Sequence, residues 1–402
     1  MIKELTTSKM NLPVGWEIKT LGEVCSFQGG SQPPKSQFIN EKRDGYVRFL
    51  QIRDFKSDKN ITYIPKSQKN RYCSDDDILL GRYGASVGKV LTNKTGAYNV
   101  AILKSIPNEK YLFRRYLFYY FTTKDFQNRL EIVSSRSAQN GFSKSDIFDF
   151  PILIPPLPKQ KQILATLDKA FAAIEKAKAN AEQNLQNAKE LFESYLQGVF
   201  ENRGEDWENV RFENLCKLTR GHNPPKSKFI SEPKEGYVRF YQIRDGWADD
   251  YAVYVPITPQ LHRVEPEEIL MVAYRHIGKV FRGVSGAFNV ALCKISNKDR
   301  KKLDNDYLFY IIPTDIVKGE LMKRSERSLI PSMSVKHLKE ILIPLPPIKE
   351  QKQIVQKLDA LSNETKKLEA IYQTKINDLE ELKKSVLQKA FSGELKIEKA
   401  LV

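Results

Sequence analysis

A proline-hinged helix occurs twice in this chain at a fixed separation, and that duplication limits the fold more than any other feature. The first copy reads Ile152-Leu153-Ile154-Pro155-Pro156-Leu157-Pro158, continues through Lys161-Gln162-Ile163 and stays helical in pattern to about Phe200. The second reads Ile341-Leu342-Ile343-Pro344-Leu345-Pro346-Pro347, continues through Lys352-Gln353-Ile354 and stays helical to about Phe391. Lys161 and Lys352 lie 191 residues apart, and Leu191/Leu382, Gln197/Gln388 and Phe200/Phe391 keep that offset. In the first helix Leu164, Leu167, Phe171, Ile174, Lys178, Ala181, Leu185, Ala188, Phe192, Tyr195 and Val199 step by threes and fours, with Lys178 the one polar member. Ile354, Leu358, Leu361, Thr365, Leu368, Tyr372, Leu379, Leu382 and Val386 do much the same in the second. Spacing of this kind held over several heptads predicts a coiled coil, and roughly 40 residues make a rod of about 60 Å. Two such helices in one chain most simply pair with each other. The duplicated order favours antiparallel pairing and an approximate two-fold axis, with Lys178 facing the acidic residues around Glu369.

What precedes each helix repeats as well. After a leader of residues 1–15, Trp16 opens the first copy and Trp207 the second. Gly45-Tyr46-Val47-Arg48-Phe49-Leu50-Gln51-Ile52-Arg53-Asp54 matches Gly236-Tyr237-Val238-Arg239-Phe240-Tyr241-Gln242-Ile243-Arg244-Asp245 at all but one position, and its alternation predicts a half-buried strand. Val87-Gly88-Lys89-Val90 pairs with Ile277-Gly278-Lys279-Val280, and Gly96-Ala97-Tyr98-Asn99-Val100-Ala101 with Gly286-Ala287-Phe288-Asn289-Val290-Ala291. The offset there is 190, so one residue is deleted between the copies. Aromatic-rich helices are expected around 110–121 and 303–312, each followed by a polar loop and a last strand before the hinge. The period far exceeds that of solenoid repeats, so a whole α+β domain is duplicated. The expected architecture is two homologous domains, 1–156 and 202–347, joined by two long helices, 157–201 and 348–402 with its C-terminal tail. These helices form an antiparallel coiled coil with pseudo-two-fold symmetry.

Charge narrows the partner. The chain has 402 residues and ordinary hydrophobic (41%) and charged (28%) content, but a formal net charge of +16. Such an excess favours a polyanion, most often nucleic acid. Four cysteines stand far apart with no Cys-x-x-Cys pair, against a zinc ribbon or disulfide framework and in keeping with a reducing cytoplasm. Cys25 and Cys216, repeat equivalents in apolar runs, read as small core residues. The N-terminus lacks the apolar core of a signal peptide, and no run reaches the ~20 apolar residues of a membrane span.

Three resemblances to catalytic motifs fail on their residues. Asn223-Pro224-Pro225-Lys226 has lysine where adenine methyltransferases carry a base-stacking aromatic, and the first copy reads Gln32-Pro33-Pro34-Lys35. Gly84-Ala85-Ser86-Val87-Gly88-Lys89 is one residue short of a phosphate loop and has Val90 in place of its Ser/Thr. His222, His262, His276 and His337 show no ligand spacing. The chain is therefore expected not to be an enzyme.

Binding fits better. The Gly-rich and polar loops carry Arg, Lys, Tyr, Gln and Asn, which contact phosphates and base edges. Loop positions that differ between the copies, such as Gln28, Ser31 and Gln32 against Thr219, Arg220, His222 and Asn223, are the candidates for base reading, and the identical Lys35 and Lys226 are candidates for nucleic-acid contact alone. The first copy offers Gln28, Ser31, Gln32, Lys35, Arg82, Tyr83, Arg136, Gln139, Asn140 and Lys144. The second offers Arg220, His222, Asn223, Lys226, Tyr274, Arg275, His276, Arg327 and Ser328. Arg82-Tyr83 sits where Tyr274-Arg275-His276 sits. Arg53 and Arg244, identical between copies, either hold the backbone of any nucleic-acid sequence or pair with Asp54 and Asp245 to fix a turn, the second being the favoured reading.

The hinge Ile341–Pro347 with Glu350-Gln351-Lys352-Gln353-Ile354, the helix end Leu387-Gln388-Lys389-Ala390-Phe391-Ser392-Gly393-Glu394-Leu395, and the Gln51-Ile52-Arg53-Asp54 strand together resemble the specificity subunit of type I restriction–modification systems. The resemblance covers essentially the whole chain. The first hinge departs from it, reading Lys159-Gln160-Lys161-Gln162 without the acidic residue. It implies two target-recognition domains that read a bipartite, asymmetric double-stranded DNA target, on a helical spacer that docks two modification subunits and then restriction subunits. It also implies that this chain binds no cofactor, S-adenosylmethionine, ATP and Mg belonging to the partner subunits. A basic coiled-coil interaction protein or non-specific nucleic-acid binder is the alternative, and a nuclease or methyltransferase with an unrecognised site a third. Salt-dependent binding to one bipartite duplex separates the first from the second, and chemistry by the chain alone would mark the third.

Overall fold

The computed structural model describes residues 12–136, 140–246, 251–325 and 333–395. The chain forms two compact units, residues 1–181 with 374–402, and residues 182–373. Each unit holds one copy of the repeat and one part of each long helix.

The first copy runs β1 (Glu17–Thr20), α1 (Leu21–Val24), β2 (Cys25–Gly29), β3 (Tyr46–Leu50), β4 (Tyr63–Pro65), β5 (Tyr72–Cys73), β6 (Ile78–Gly81), β7 (Val90–Leu91), β8 (Gly96–Tyr98), β9 (Ile102–Pro107), α2 (Arg114–Thr122), α3 (Lys124–Ser134), α4 (Lys144–Phe148) and β10 (Pro151–Ile154). Then comes α5 (Leu157–Glu201). The second repeats this as β11 (Glu208–Arg211), α6 (Phe212–Leu215), β12 (Cys216–Arg220), β13 (Tyr237–Tyr241), β14 (Tyr254–Pro256), β15 (Arg263–Val264), β16 (Ile269–Val272), β17 (Val280–Phe281), β18 (Gly286–Phe288), β19 (Leu292–Asn297), α7 (Asn305–Ile311), α8 (Glu320–Ser325), α9 (Val335–Glu340) and β20 (Leu342–Leu345). The last helix is α10 (Ile348–Ser392).

Each copy builds two four-stranded sheets, ordered β2-β9-β6-β7 and β4-β3-β8-β5 in the first and β12-β19-β16-β17 and β14-β13-β18-β15 in the second. β6 and β16 read Ile-Leu-Leu-Gly and Ile-Leu-Met-Val and are buried throughout, as a strand covered on both faces must be. The matched segment from Gly45 is a strand only to Leu50. The Gln51 amide donates to the Asp54 carboxylate (2.7 Å), Gln242 does the same with Asp245, and the chain turns into a 3-10 segment. Arg53 and Arg244 are not the partners of these buried aspartates. Arg239 lies 2.6 Å from Asp245 and Arg48 3.9 Å from Asp54, because alternation turns residues 48 and 239 toward the carboxylate. Arg53 donates instead to the Thr62 hydroxyl, and Arg244 to the Tyr251 carbonyl.

The hinge strands β10 and β20 pair antiparallel with β1 and β11, tying each copy's beginning to its end. α5 starts after Pro156 and carries Pro158 in its first turn, and α10 starts after Pro347, places where a missing N–H costs nothing. The Gln160 side chain is fully buried: its Oε1 accepts from the Phe113 amide and its Nε2 donates to the Tyr111 and Pro155 carbonyls. Gln351 does the same with Asp304, Lys302 and Pro346, each at an offset of 191. The acidic residue missing from the first hinge has a visible task in the second, where Glu350 accepts the Trp207 indole N–H at 2.9 Å.

α5 and α10 pair antiparallel. In the first unit Lys178 meets Glu380 at 2.7 Å and Glu175 meets Lys383 at 2.6 Å, so one number rises as the other falls. Lys178 therefore faces Glu380 rather than the region of Glu369. Centring the pairing on Lys178 would misplace the register by three helical turns. The core of the first unit gathers Leu21, Phe126, Tyr116 and Leu117 with Ile163, Leu164 and Leu167 of α5 and Ala390 and Phe391 of α10. Tyr116 packs on Phe391 at 4.6 Å between centroids and donates its hydroxyl to the Leu153 carbonyl. In the second unit Tyr307 packs on Phe200 and donates to the Pro344 carbonyl, at equivalent positions. Each fully buried aromatic of this size contributes about 1.5–3 kcal/mol.

The stripes need adjustment at several positions, in the middle of α10 as well as toward the ends. Tyr195, Leu368 and Leu382 are exposed, while Leu196, Val355 and Ile376 are buried. All four cysteines are buried, and burial pushes the Cys25 and Cys216 thiols up to about 12, so they are inert core residues.

Candidate nucleic-acid interface

In each copy four loop segments distant in sequence are stitched into one surface by main-chain hydrogen bonds. In the first, the strand β2 runs out into Gly30 and Ser31, whose amides donate to the Ile102 and Tyr98 carbonyls. A Cβ on Gly30 would lie 2.0 Å from the Asn99 carbonyl oxygen, so only glycine lets the loop approach. Arg82 donates its amide to the Ala101 carbonyl, and its own carbonyl accepts from the Phe142 amide. The Gly84 amide donates to Asn140, and Tyr83 bridges to Gly141. The second copy repeats the stitching. Gly221 and His222 donate to Leu292 and Phe288, Ala273 donates to Ala291, and Met333 donates to Ala273. A Cβ on Gly221 would lie 2.1 Å from the Asn289 oxygen.

The expected binding residues divide on this framework. Gln32, Lys35, Tyr83, Arg136, Asn140 and Lys144 are exposed in the first copy, as are His222, Asn223, Lys226, Arg275 and His276 in the second. Lys35 and Lys226 each open a 3-10 turn behind the prolines. Lys144 opens α4 beside the Ser143–Asp146 capping box. Arg275 takes a left-handed φ of 65° and lies 5.7 Å from the Tyr274 ring. Gln139, Arg327 and Ser328 lie outside the described residues.

Others are committed within the fold. The Gln28 Oε1 and main-chain oxygen both accept from the Tyr98 hydroxyl. Ser31 Oγ accepts from the Arg71 amide, and Asn223, although exposed, accepts through Oδ1 from the Val290 amide. Arg82 Nε donates to the Phe142 carbonyl (3.1 Å) and Nη1 to Val100 (3.3 Å). Arg220 donates Nη1 to the Val290 carbonyl (3.1 Å) and Nη2 to Met333. The matched main-chain bonds align Arg82 with Ala273 and Tyr83 with Tyr274, so the one-residue deletion falls in the turn between β6 and β7.

Val100 and Val290 are further candidates that a search for donors and acceptors passes over, their half-open apolar side chains sitting on the equivalent turns at the centre of this stitching. Identity between copies combined with exposure would have marked them, but exposure was not readable. The Gly84–Ser86 segment is a 3-10 turn whose Ser86 hydroxyl donates to the Tyr83 carbonyl, not a strand–loop–helix phosphate cradle. With α3 it lines an open cleft of about 570 Å³ that also carries Gln127, Glu131 and Asn140. Among the described residues no group of His, Cys, Asp or Glu could hold a metal ion, and no helix is long and apolar enough to cross a membrane.

Salt bridges brace the sheets behind these loops. Burial raises the Asp77 carboxyl, but the Lys104 ammonium at 2.5 Å and the Ser74 amide outweigh it and hold the group below its ordinary value. Glu268 is held down in the same way, with Ser296, the Glu265 amide and Lys294 overcoming burial.

Comparison with known proteins gives one consistent result. The chain is 23% identical over 96% of its length to the type I restriction enzyme MjaVIII specificity subunit of Methanocaldococcus jannaschii, covering 95% of that protein. It is 24% identical, again over 96% of its length, to the EcoKI specificity subunit of Escherichia coli strain K12, covering 90% of it. Its fold matches a solved chain from work on complex assembly and conformational transition of the type I R-M system, with TM-score 0.79, 20% identity, and 96% and 99% of the two chains covered. It also matches the HsdS subunit from Thermoanaerobacter tengcongensis, with TM-score 0.59, 19% identity, and 97% and 99% covered. The family model for the type I restriction modification DNA specificity domain matches twice, over residues 13–183 and 204–381. With both copies matched and most of the chain covered, this protein belongs to the type I restriction–modification DNA specificity family.

Proposed function

We propose that this chain is the non-catalytic sequence reader of a type I restriction–modification complex. Each copy of the repeat reads one half of a bipartite duplex target. One observation carries the reading: the same four-segment surface is built twice on equivalent main-chain hydrogen bonds, while most of its exposed side chains differ, Lys35 and Lys226 being the same. A constant scaffold with variable tips suits two readers of the same kind with different half-sites. The exposed set of Lys35, Tyr83, Arg136, Asn140 and Lys144, against His222, Lys226, Arg275 and His276, supplies phosphate contacts and base-edge donors. The net charge of +16 supports long-range attraction to the duplex.

The paired helices set the gap between half-sites and dock two modification subunits, which are joined by restriction subunits. Leu191 and Leu382, equivalent and both exposed on the helices, support a docking role. S-adenosylmethionine, ATP and Mg act on those partner subunits, and this chain carries none of them. The complex works in the cytoplasm.

Selection of bound sequences from a random duplex library by the purified chain tests this reading. Two unrelated half-sites at one fixed spacing are expected, with affinity falling steeply as salt rises. Retention of all sequences alike would leave a non-specific binder. Methyl transfer or cleavage by the chain alone would make it an enzyme.

A further inference from the structure

We propose that Arg82 and Arg220, at non-equivalent positions in the repeat, are one device: a guanidinium bracket that positions the loops each copy uses to read DNA. The claim rests on the DNA-reading function above but concerns the loops' own geometry.

Arg82 follows β6, and the main-chain bonds place Ala273 opposite it in the second copy. Arg220 ends β12, and its counterpart in the first copy is Gly29, the end of β2. Each copy therefore has one arginine and one small residue at this pair of positions, in opposite order. Their targets are nevertheless the same. Val100 and Val290 are equivalent at the offset of 190, and Phe142 and Met333 at 191. Each guanidinium donates to both members of its pair, Arg82 to Val100 and Phe142 and Arg220 to Val290 and Met333. A Cβ built on Gly29 would lie 3.8 Å from Arg82 Nη1, so a side chain from position 29 reaches the place where the Arg82 guanidinium sits.

A planar fork with several fixed N–H donors holds two carbonyls of separate segments in one relative orientation, whereas the donors of an ammonium rotate and fix no plane. The bracket joins the Asn99–Ala101 turn to the polar loop around Phe142, and those segments carry Val100, Asn140 and Lys144. Arg82 and Arg220 are thus positioning residues, each committing two donors to the chain.

The reciprocal order makes the idea testable by transplantation, using the full chain. Two readouts are taken: amide hydrogen exchange over residues 140–146, and Kd for a duplex carrying the selected target. R82A is expected to speed exchange there and raise Kd roughly 10- to 100-fold, the range set by losing one or two hydrogen bonds from a charged donor. The double variant G29R/R82A, which imitates the second copy, is expected to restore both. The slope of log Kd against log salt is expected to stay unchanged, whereas loss of a phosphate contact lowers it by about one. R82K, which keeps the charge and loses the fork, is expected to fall between wild type and R82A, and it carries the test should R82A not fold. Unchanged exchange in R82A and R82K would overturn the proposal. So would a double variant no better than R82A, or a lowered salt slope. If protection from exchange is lost and restored as expected while no form of the chain selects a DNA sequence, the bracket stands and the DNA-reading function falls.

Discussion

At the scale of single residues, two glycine classes show how close contacts and turns make separate demands. Gly30 is required because the Asn99 carbonyl oxygen occupies the space of a side chain, and Gly30→Ala must displace the stitched loop. Gly45 has φ of 79° with nothing within 4 Å, so Gly45→Ala meets only backbone strain, about 1 kcal/mol. Denaturant titration should show Gly30→Ala as the costlier change by a clear margin, and Gly30→Ala alone should weaken DNA binding. Asp77 and Glu268 contribute to acid sensitivity. Both carboxyls are held below their ordinary values, so their stabilisation is complete above those values and is lost as pH falls through the lower folded ones. Melting temperature followed from about pH 7 to about pH 3 should drop less steeply in Asp77→Asn and Glu268→Gln than in wild type. Residue roles were the least legible part of the sequence. Gln28, Ser31, Arg82, Arg220 and Asn223 have the chemistry of base readers, yet each is engaged by the fold. Donor and acceptor types can be read from a sequence, but whether a donor is already used depends on segments tens of residues away.

At the scale of elements, the long helices were legible almost to the residue, ending at Glu201 and Ser392 where Phe200 and Phe391 had marked the limit. The aromatic-rich helices also appeared, as Arg114–Thr122 and Asn305–Ile311. Register was not legible. A heptad stripe says which face is buried but not how far one helix slides along the other, and here Lys178–Glu380 and Glu175–Lys383 report it. The hinge was read as a proline motif, while the side chains that fasten it are the adjacent Gln160 and Gln351. Burial of a glutamine is invisible in sequence because its partners are main-chain atoms. Under the proposed function, removing one heptad from each of α5 and α10 shortens the spacer by about 10 Å. The half-site sequences selected by such a variant should stay the same and the gap between them should change. An unaltered gap would show that the helices do not set it.

At the scale of the whole molecule, duplication is the organising fact, and it was visible from the offset of 191 alone. What offset and composition could not supply is how the repeat is divided. Each compact unit takes one copy together with parts of both α5 and α10, so either copy is held by helix from two places in the chain. The two copies share a framework and differ at their tips, and the account stands on that division between a constant scaffold and a variable surface. Its most direct test replaces residues 16–150 with the same segment of another member of the family, followed by sequence selection with the purified hybrid. The account predicts that one half of the selected target changes while the other half stays as it was. A hybrid that alters both halves, or neither, would contradict it.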